Sequence, residues 1–437
     1  MKRKQYELRS VMDAAWERIG FAFTNFDNVI VSFSGGKDSG LLLHLCMKWV
    51  KENQPGRRFS VFHQDFEAQY SATTDYVTQV MTNADNMALF DPYWVCLPMR
   101  ARTAASMFEQ HWTPWEESKR DLWVRERPSY PGVITLDNHR FDWYRDTIYQ
   151  EELYAEFSPW HHKHKKASKT VCLVGIRAQE SLNRYRAIAG HRSGECFGQT
   201  WLRGGQNGVW NGYPIYDWTV DDVWIANAKY GFPYNRLYDL FHDAGLTINQ
   251  MRVASPFNDW AVGSLKLYRV IEPAIWGKMV GRVNGANFCA MYGGTEAMGW
   301  KSVTLPAGHT WQSYVKFLLT TLPDETRKTY EEKFATSIEF WRSKGGVLSA
   351  ETIRELKDAG ISVNVKGKTA YRTDKDACTF DEYPDDAPVT DFATVPSWKR
   401  MAVCILKNDH LCKYMGFSLT KDEMARRKAA IAKYSDL

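Results

Sequence analysis

The sequence has no pair of cysteines at C-x-x-C spacing. Its eight cysteines (Cys46, Cys96, Cys172, Cys196, Cys289, Cys378, Cys404 and Cys412) are scattered over 437 residues. That distribution argues for reduced thiols and against a zinc finger or a disulfide framework. Long apolar runs are also missing. The longest, LLLHLCM at 41–47, is interrupted by His44 and closed by Lys48, whereas a membrane helix needs roughly 18 apolar residues. The basic N-terminus, MKRKQYELRSVMDAAWERIG, has neither an apolar stretch nor a small-residue cleavage site. We therefore expect no signal peptide, no membrane association and a cytoplasmic location. Charge of one sign is not in large excess: 56 basic against 51 acidic residues leaves +5. That balance permits a polyanionic ligand without marking a nucleic-acid binder. No internal repeat is found.

What the chain does have is tryptophan, 18 of them, which suit large cores and lids before any base-stacking role. Along the chain, Leu8, Val11, Met12, Ala15, Trp16 and Ile19 fall at helical spacing, so 1–27 reads as a leading helix. Apolar strands at 29–33, 58–63 and 93–98 alternate with helical segments, and the alternation resumes at 171–176. Strand and helix at this spacing predict parallel βαβ units, hence an α/β fold with a doubly wound, mostly parallel sheet. An aromatic and basic segment at about 100–168 breaks the rhythm and reads as an insertion over the sheet. A domain over 28–250 is followed by a mainly helical region, 251–437, with a polar linker at about 366–395. Thr219 and Asp222 have capping-box spacing at a helix start.

The chemistry centres on residues 29–50, VIVSFSGGKDSGLLLHLCMKWV. A strand ending in Ser-Gly-Gly and opening a helix turns several backbone N–H groups toward one point. Gly35 and Gly36 can take positive φ and let an oxyanion approach, and the helix N-terminus adds partial positive charge. Lys37 adds a cation, and Ser34 and Ser39 add hydroxyls. The Walker pattern G-x-x-x-x-G-K-[ST] is absent, because Asp38 follows the lysine. The loop is nonetheless predicted to hold an anion.

Ser34-Gly-Gly-Lys-Asp-Ser39 resembles the signature of the PP-loop ATP pyrophosphatases, the adenine nucleotide alpha hydrolase-like proteins. Residues 173–181, LVGIRAQES, with Arg184, resemble the G-x-R-x-x-E-S…R pattern of the PAPS reductase branch. Residues 214–240, PIYDWTVDDVWIANAKYGFPYNRLYDL, resemble that branch's P-I-x-D-W-T…P-Y-N-x-L-Y pattern. Residues 64–70, 251–260, 284–288 and 398–417 resemble a narrower set of PAPS-reductase-like proteins, the immunoglobulin-binding regulator A (IbrA) type.

The resemblance implies binding of ATP, or of PAPS or APS, with Mg²⁺, and cleavage of ATP between the α and β phosphates to give AMP and pyrophosphate. It also implies a ParB-like partner and a link to DNA. On it, Ser34, Gly35, Gly36, Lys37, Asp38 and Ser39 hold phosphates, with Lys37 neutralising charge at the α–β bridge. Asp38 coordinates Mg²⁺ or orients Lys37, a structural helix-start role being the alternative. Asp65 and Glu67 suit a ribose or a second Mg²⁺; otherwise they are exposed loop carboxylates. Gly175, Arg177, Glu180 and Arg184 form a phosphate- or sulfate-binding turn, unless Arg177 and Glu180 are merely a surface pair. Arg252 closes the same pocket.

The chain departs from the reductases in lacking their C-terminal Glu-Cys-Gly-Leu-His nucleophile motif and the paired cysteines of an iron–sulfur cluster. We therefore expect no cluster and no zinc. Cys404, in MAVCIL, reads as an inert helix face. His161, His162 and His164 lack metal-site spacing, so 161–169, HHKHKKASK, reads as an exposed basic loop suited at most to nucleic-acid phosphates. Three functions stay open: an adenylate-forming ATP pyrophosphatase, a sulfonucleotide-using transferase or reductase, and a non-catalytic nucleotide-sensing regulator.

Overall fold

The computed structural model describes residues 7–189, 197–205, 207–248, 250–258, 265–287, 289, 305–368 and 374–417. Its strands are β1 (Asn28–Ser32), β2 (Phe59–Gln64), β3 (Phe90–Val95), β4 (Ala101–Arg102), β5 (His111–Trp112), β6 (Val133–Ile134), β7 (Thr170–Val174), β8 (Leu202–Gly204), β9 (Val209–Gly212), β10 (Gly346–Leu348), β11 (Asn364–Lys368) and β12 (Asp376–Thr379). The helices that frame them are α1 (Val11–Asn25), α2 (Lys37–Asn53), α3 (Ser71–Thr82), α4 (Ala84–Met87), α5 (Gln150–His164), α6 (Leu182–Ala189), α7 (Val220–Tyr230), α8 (Leu237–Asp243), α9 (Lys266–Ile271) and α10 (Pro273–Arg282). Further on come α11 (Trp311–Thr320), α12 (Asp324–Ser343), α13 (Ala350–Asp358) and α14 (Trp398–Leu406).

The main sheet runs β6-β3-β2-β1-β7-β9-β8, and every neighbouring pair is parallel except β8 with β9. β1 lies between β2 and β7, with Val31 in register with Val61 on one side and Leu173 on the other. A strand covered on both faces needs a continuous apolar run, which Val29-Ile30-Val31 supplies. Val31, Val61 and Leu173 face α1, α2 and α3 through Phe23, Leu42 and Val77. Ile30, Phe62 and Cys172 face α5 through Leu153, Phe157 and Trp160. Helices on both faces of a parallel sheet make the doubly wound arrangement read from the sequence.

Several readings need correction. The segment 100–168 is not all insertion, because β6 extends the sheet edge and α5 covers a face of it. Residues 161–164 are the last turn of α5 rather than loop, and His161 is buried. Its Nδ1 accepts from the Asn28 amide at 3.0 Å, which leaves Nε2 to bond Ser60 Oγ at 3.0 Å. Ser10 caps α1, so Leu8 falls outside that helix and is exposed. Part of 366–395 is structured too. β12 pairs with both β10 and β11 in a three-stranded sheet, and Cys378, Phe380, Val389 and Val395 join Leu348 and Leu356 in a small core. Its polar composition reflects a sheet with one covered face. Cys404 is buried, as expected, beside Tyr330, Met401 and Cys412. The stretch beyond Phe417 lies outside the described residues. No helix among those described is long and apolar enough to cross a membrane.

Two buried histidines make stability depend on pH. Burial pushes His161 down to about 3, and His44, which contacts the Tyr76 hydroxyl at 3.2 Å, down to about 4. In the unfolded chain both titrate near 6.5. As pH falls the unfolded state takes up protons first, so stability is full above about pH 6.5 and is lost toward pH 4. Between pH 7 and pH 5 each histidine contributes a loss of about 2 kcal/mol. Urea midpoints at the two pH values should therefore differ less in His161→Gln and in His44→Phe than in the unmodified protein. An undiminished difference in both variants would assign the pH dependence to other groups.

Candidate functional site

The loop after β1 is held from three directions. Within it, the Ser34 amide bonds Ser39 Oγ at 3.1 Å, the two hydroxyls lie 2.9 Å apart, and Ser39 Oγ donates to the Gly36 carbonyl at 3.1 Å. Gly35 has φ +76°, and a Cβ there would lie 2.9 Å from Val77 Cγ2. This position requires glycine both for its backbone and for its neighbours. Gly36 is the N-cap of α2 and offers no capping side chain of its own, so an anion at this end would take the place of an N-cap oxygen.

The second hold comes from β7. A Cβ on Gly175 would lie 2.8 Å from the Asp38 carbonyl oxygen and 2.9 Å from Ser39 Cα. Only the missing side chain lets the β7 turn rest on the first turn of α2. Arg177 is thereby brought to Asp38, with Nε donating to Oδ1 at 2.5 Å, while Lys37 Nζ donates to Oδ2 at 3.1 Å. The three side chains are 6%, 14% and 8% exposed for Arg177, Asp38 and Lys37 respectively. Two cations thus share one carboxylate at a nearly enclosed helix N-terminus, which leaves an excess positive charge. Arg177 does not pair with Glu180; the Glu180 carboxylate lies 3.8 Å from Arg184 Nε. Arg252 Nη2 donates to the Glu180 carbonyl at 3.4 Å, so these residues do gather beside the loop.

The third hold was missed at the level of single residues. Asn235 is fully buried, and its amide donates to the Gly35 carbonyl and to Thr73 Oγ1, both at 2.9 Å. The Tyr238 hydroxyl accepts from the Lys37 amide at 3.0 Å, and its ring lies 5.4 Å from Lys37 Nζ. Both residues stand in the quoted P-Y-N-x-L-Y stretch, which was the available signal. The P-I-Y-D-W part of that motif serves elsewhere: Asp217 accepts both forks of Arg18 at 2.8 Å and fastens α1. A broad groove of about 800 Å³ beside α1 is lined by this pair and by Arg9, itself paired with Glu7.

Asp65 and Glu67 lie at the exit of β2 and are fully buried, which excludes exposed loop carboxylates. Arg125 Nη2 donates to both Asp65 oxygens at 2.5 Å, and Trp94 Nε1 donates to Oδ2 at 2.8 Å. Burial pushes the Asp65 carboxyl up, but Arg125, His63 and the hydrogen bonds from Glu67 and Trp94 outweigh it and the net shift is downward. Glu67 accepts from Arg282 Nε at 2.9 Å and from the Trp115 and Val124 amides at 2.7 and 3.1 Å. Both carboxylates are thus committed to protein partners.

Between this exit and the phosphate loop lies a cavity of about 70 Å³, walled by Phe33, Ser34, Phe62, Gln64, Phe66 and Ser255. One water needs roughly 10–15 Å³ on this measure, so the space is that of several waters. Its walls mix aromatic rings with serine and glutamine side chains, Ser32 and Gln69 among them. Among the described residues no cluster of three or more His, Cys, Asp or Glu is placed to hold a metal ion.

Residues 28–243 match the family described as the phosphoadenosine phosphosulfate reductase domain, and residues 245–426 match a domain of unknown function, DUF3440. The chain belongs to the phosphoadenosine phosphosulfate reductase domain family, within the PP-loop superfamily. It is 32% identical over 422 residues to the uncharacterized protein YbdN of Escherichia coli (strain K12), covering 96% of this chain and 93% of that protein. Among solved structures it is similar to a Candida auris PAPS reductase in a phosphate complex, with 13% identity, 54% of this chain and 93% of that one covered, and TM-score 0.29. It is also similar to a Candida glabrata FMN adenylyltransferase with FAD and pyrophosphate, with 11% identity, 54% and 63% covered, and TM-score 0.30. A third, the U34-tRNA thiolase NcsA of Methanococcus maripaludis with its [4Fe-4S] cluster, has 9% identity, 62% and 77% covered, and TM-score 0.29.

The Gly175 contact can be tested directly. Gly175→Ala forces a methyl group against the backbone of α2, an overpacking that costs about 1–3 kcal/mol. If the loop binds an anion, its affinity for inorganic pyrophosphate by calorimetry should fall roughly tenfold or more, with far-ultraviolet dichroism unchanged. Unaltered affinity would show that the loop geometry does not set binding.

Proposed function

We propose that the chain binds an adenine nucleotide with its phosphates on Ser34–Ser39 and cleaves ATP at the α–β bond to activate an acceptor. The observation that carries this reading is the Lys37–Asp38–Arg177 arrangement at a helix N-terminus whose N-cap, Gly36, has no side chain. In an open parallel sheet such a ligand lies beyond the C-terminal strand ends where the connections diverge, and β1 sits between β2 and β7 at that point. An acceptor oxygen attacks the α-phosphorus, the bond from that phosphorus to the bridging oxygen breaks, and pyrophosphate departs with the electron pair. Lys37 and Arg177 stand where negative charge grows on the leaving group, the placement that lowers such a barrier.

Asp38 acts by positioning. Both of its oxygens already accept from cations, so it does not fit a direct Mg²⁺ ligand in this arrangement. Magnesium commonly keeps several waters and is held largely by nucleotide phosphates. The role proposed for Asp38 is to hold Lys37 and Arg177 apart and aimed until phosphate oxygens take over part of their bonding.

The acceptor belongs to the same proposal. Arg184, Arg186, Arg236 and Arg252 are exposed on segments that border the site, which favours a polyanion such as nucleic acid, and a ParB-like protein would fit as the partner that delivers it. Membership in the reductase family favours a sulfonucleotide reading instead. Against a thiol nucleophile, the free cysteines among the described residues are all buried, and burial pushes Cys172 up to about 11 and Cys289 to about 12. Cys196 lies outside the described residues.

Incubation of the protein with α-labelled ATP and Mg²⁺, with and without DNA, separates these readings. The expected products are AMP and pyrophosphate, reduced at least a hundredfold in Lys37→Ala by loss of about 3 kcal/mol of electrostatic stabilisation. Release of ADP would contradict α–β cleavage.

A further inference from the structure

Lys37 is the first residue of α2, so its amide is one of the helix-start donors that a bound anion would normally take. Here that amide is already engaged, donating to the Tyr238 hydroxyl at 3.0 Å. The same hydroxyl oxygen lies 3.4 Å from the place a Cβ on Gly36 would occupy. The phenol thus stands over the N-cap, in the space that a capping side chain would fill.

A phenol hydroxyl has lone pairs to accept with and one proton to donate. The Lys37 amide uses a lone pair. Among the described residues no acceptor receives the proton, although Tyr238 is only 4% exposed. The Asp38 carboxylate is taken up by Lys37 and Arg177. Buried donors are normally paired, because an unpaired one loses its hydration without replacement. The proton is not lost instead: burial, and after it the charge of Asp38, push this phenol upward.

Rigid surroundings set the position of the hydroxyl. The Tyr238 ring meets Trp224 edge-on at 5.3 Å and Phe241 at 6.4 Å, and Lys37 Nζ lies 5.4 Å from its centre. Just before α8, Asn235 ties the chain to the Gly35 carbonyl. A strap, residues 251–257, crosses the C-terminal edge of the sheet and belongs to the region of unknown function. Its Val253 also reaches the N-cap, with Cβ 3.8 Å from the same Gly36 position. Arg252 fastens one end of the strap to the Glu180 carbonyl. At the other end the Phe257 carbonyl accepts from the Ala104 amide at 2.8 Å, and its ring packs on Trp112 at 4.9 Å.

We propose that Tyr238 is a phosphate-binding residue: its hydroxyl accepts from the Lys37 amide and donates a hydrogen bond to a phosphate oxygen of the bound nucleotide. The inference rests on the nucleotide reading above and adds a donor that the Ser34–Ser39 segment does not contain. The phenol extends the reach of the helix-start amide by one hydrogen bond. A bond to an ionised oxygen is stronger than one between neutral groups, and an enclosed site strengthens it further. The proton remains on Tyr238, so the residue binds charge and does not act as an acid.

Calorimetric titration of the full chain with inorganic pyrophosphate and with ATP tests this. Tyr238→Phe keeps the ring against Lys37, Trp224 and Phe241 and should weaken both ligands roughly tenfold or more. A phenol that merely caps α2 would be displaced from the Lys37 amide by the anion. Its removal would then tighten binding or leave it unchanged, and either result overturns the proposal. Replacement of Tyr238 by 3-fluorotyrosine, at about pH 6 and far below phenol ionisation, gives a readout that damage to the loop does not mimic. The fluorinated phenol is more acidic, hence a stronger donor and a weaker acceptor, so pyrophosphate should bind more tightly than to the unmodified protein. Equal or weaker binding would make the hydroxyl an acceptor only and overturn the proposal while leaving the phosphate loop standing. If the unmodified chain binds neither pyrophosphate nor ATP, the nucleotide reading falls with it.

Discussion

The arrangement of the site depends on one close contact, the seating of the β7 turn on the first turn of α2. Gly175 has no side chain, so the turn approaches within a distance that any other residue would block. That approach sets Arg177 on Asp38 and completes the pair of cations around one carboxylate. The strand order makes the contact unavoidable, because β7 is hydrogen-bonded to β1 along its whole length. The remaining parts respect it: Asn235 and Tyr238 secure the loop from the opposite side through one carbonyl and one amide. A helix N-cap without a side chain, a glycine turn that lets an anion approach the backbone and two enclosed cations all favour an anionic ligand. Their coincidence at one point is what separates this loop from an ordinary β-to-α turn.

Much of this was legible. A continuous apolar run into Gly-Gly and then a helix identifies β1 and α2, because strand, turn and helix each have strong local rules. The doubly wound sheet follows from strand and helix alternation for the same reason. What could not be read was where long side chains end. Asn235 meets Gly35 from 200 residues away, and Tyr238 meets Lys37 from 201; nothing local encodes either bond. His161 misled because it stands in a basic run, yet its ring is buried against the sheet, where it joins Asn28 and Ser60, and the next ring, His162, bonds Thr170 of β7. In 366–395 the polar residues drew attention away from Cys378, Phe380 and Val395, too few and too widely spaced to show a periodic pattern.

The exit of β2 shows how the two extra regions are tied to the site. Asp65 and Glu67 stand two residues apart, both fully buried, and each is neutralised by an arginine from a different part of the chain. Arg125 comes from the segment between β3 and α5, and Arg282 from the end of α10. Glu67 has φ +64°, uncommon for a residue with a side chain, and its carboxylate is held by Arg282 and by two amides of the 115–124 stretch. Two further contacts secure the same loop: Tyr70 stacks on Tyr268 at 3.7 Å, and Glu272 accepts from the Ser71 amide at 2.9 Å.

This pattern has an energetic consequence. Removing one partner of a buried ion pair leaves an uncompensated charge and costs about 3–5 kcal/mol, much more than an exposed pair contributes. The loop between Gln64 and Ser71 therefore keeps its shape only while both arginines are in place. Gln64 and Phe66, which wall the cavity, stand at either side of Asp65. The C-terminal region is thus not an appendage to a finished nucleotide-binding domain. It supplies the charge that holds one wall of the cavity and, through the 251–257 strap, a second wall. A shortened chain ending at the domain match would keep the phosphate loop and lose the surroundings that define the rest of the pocket.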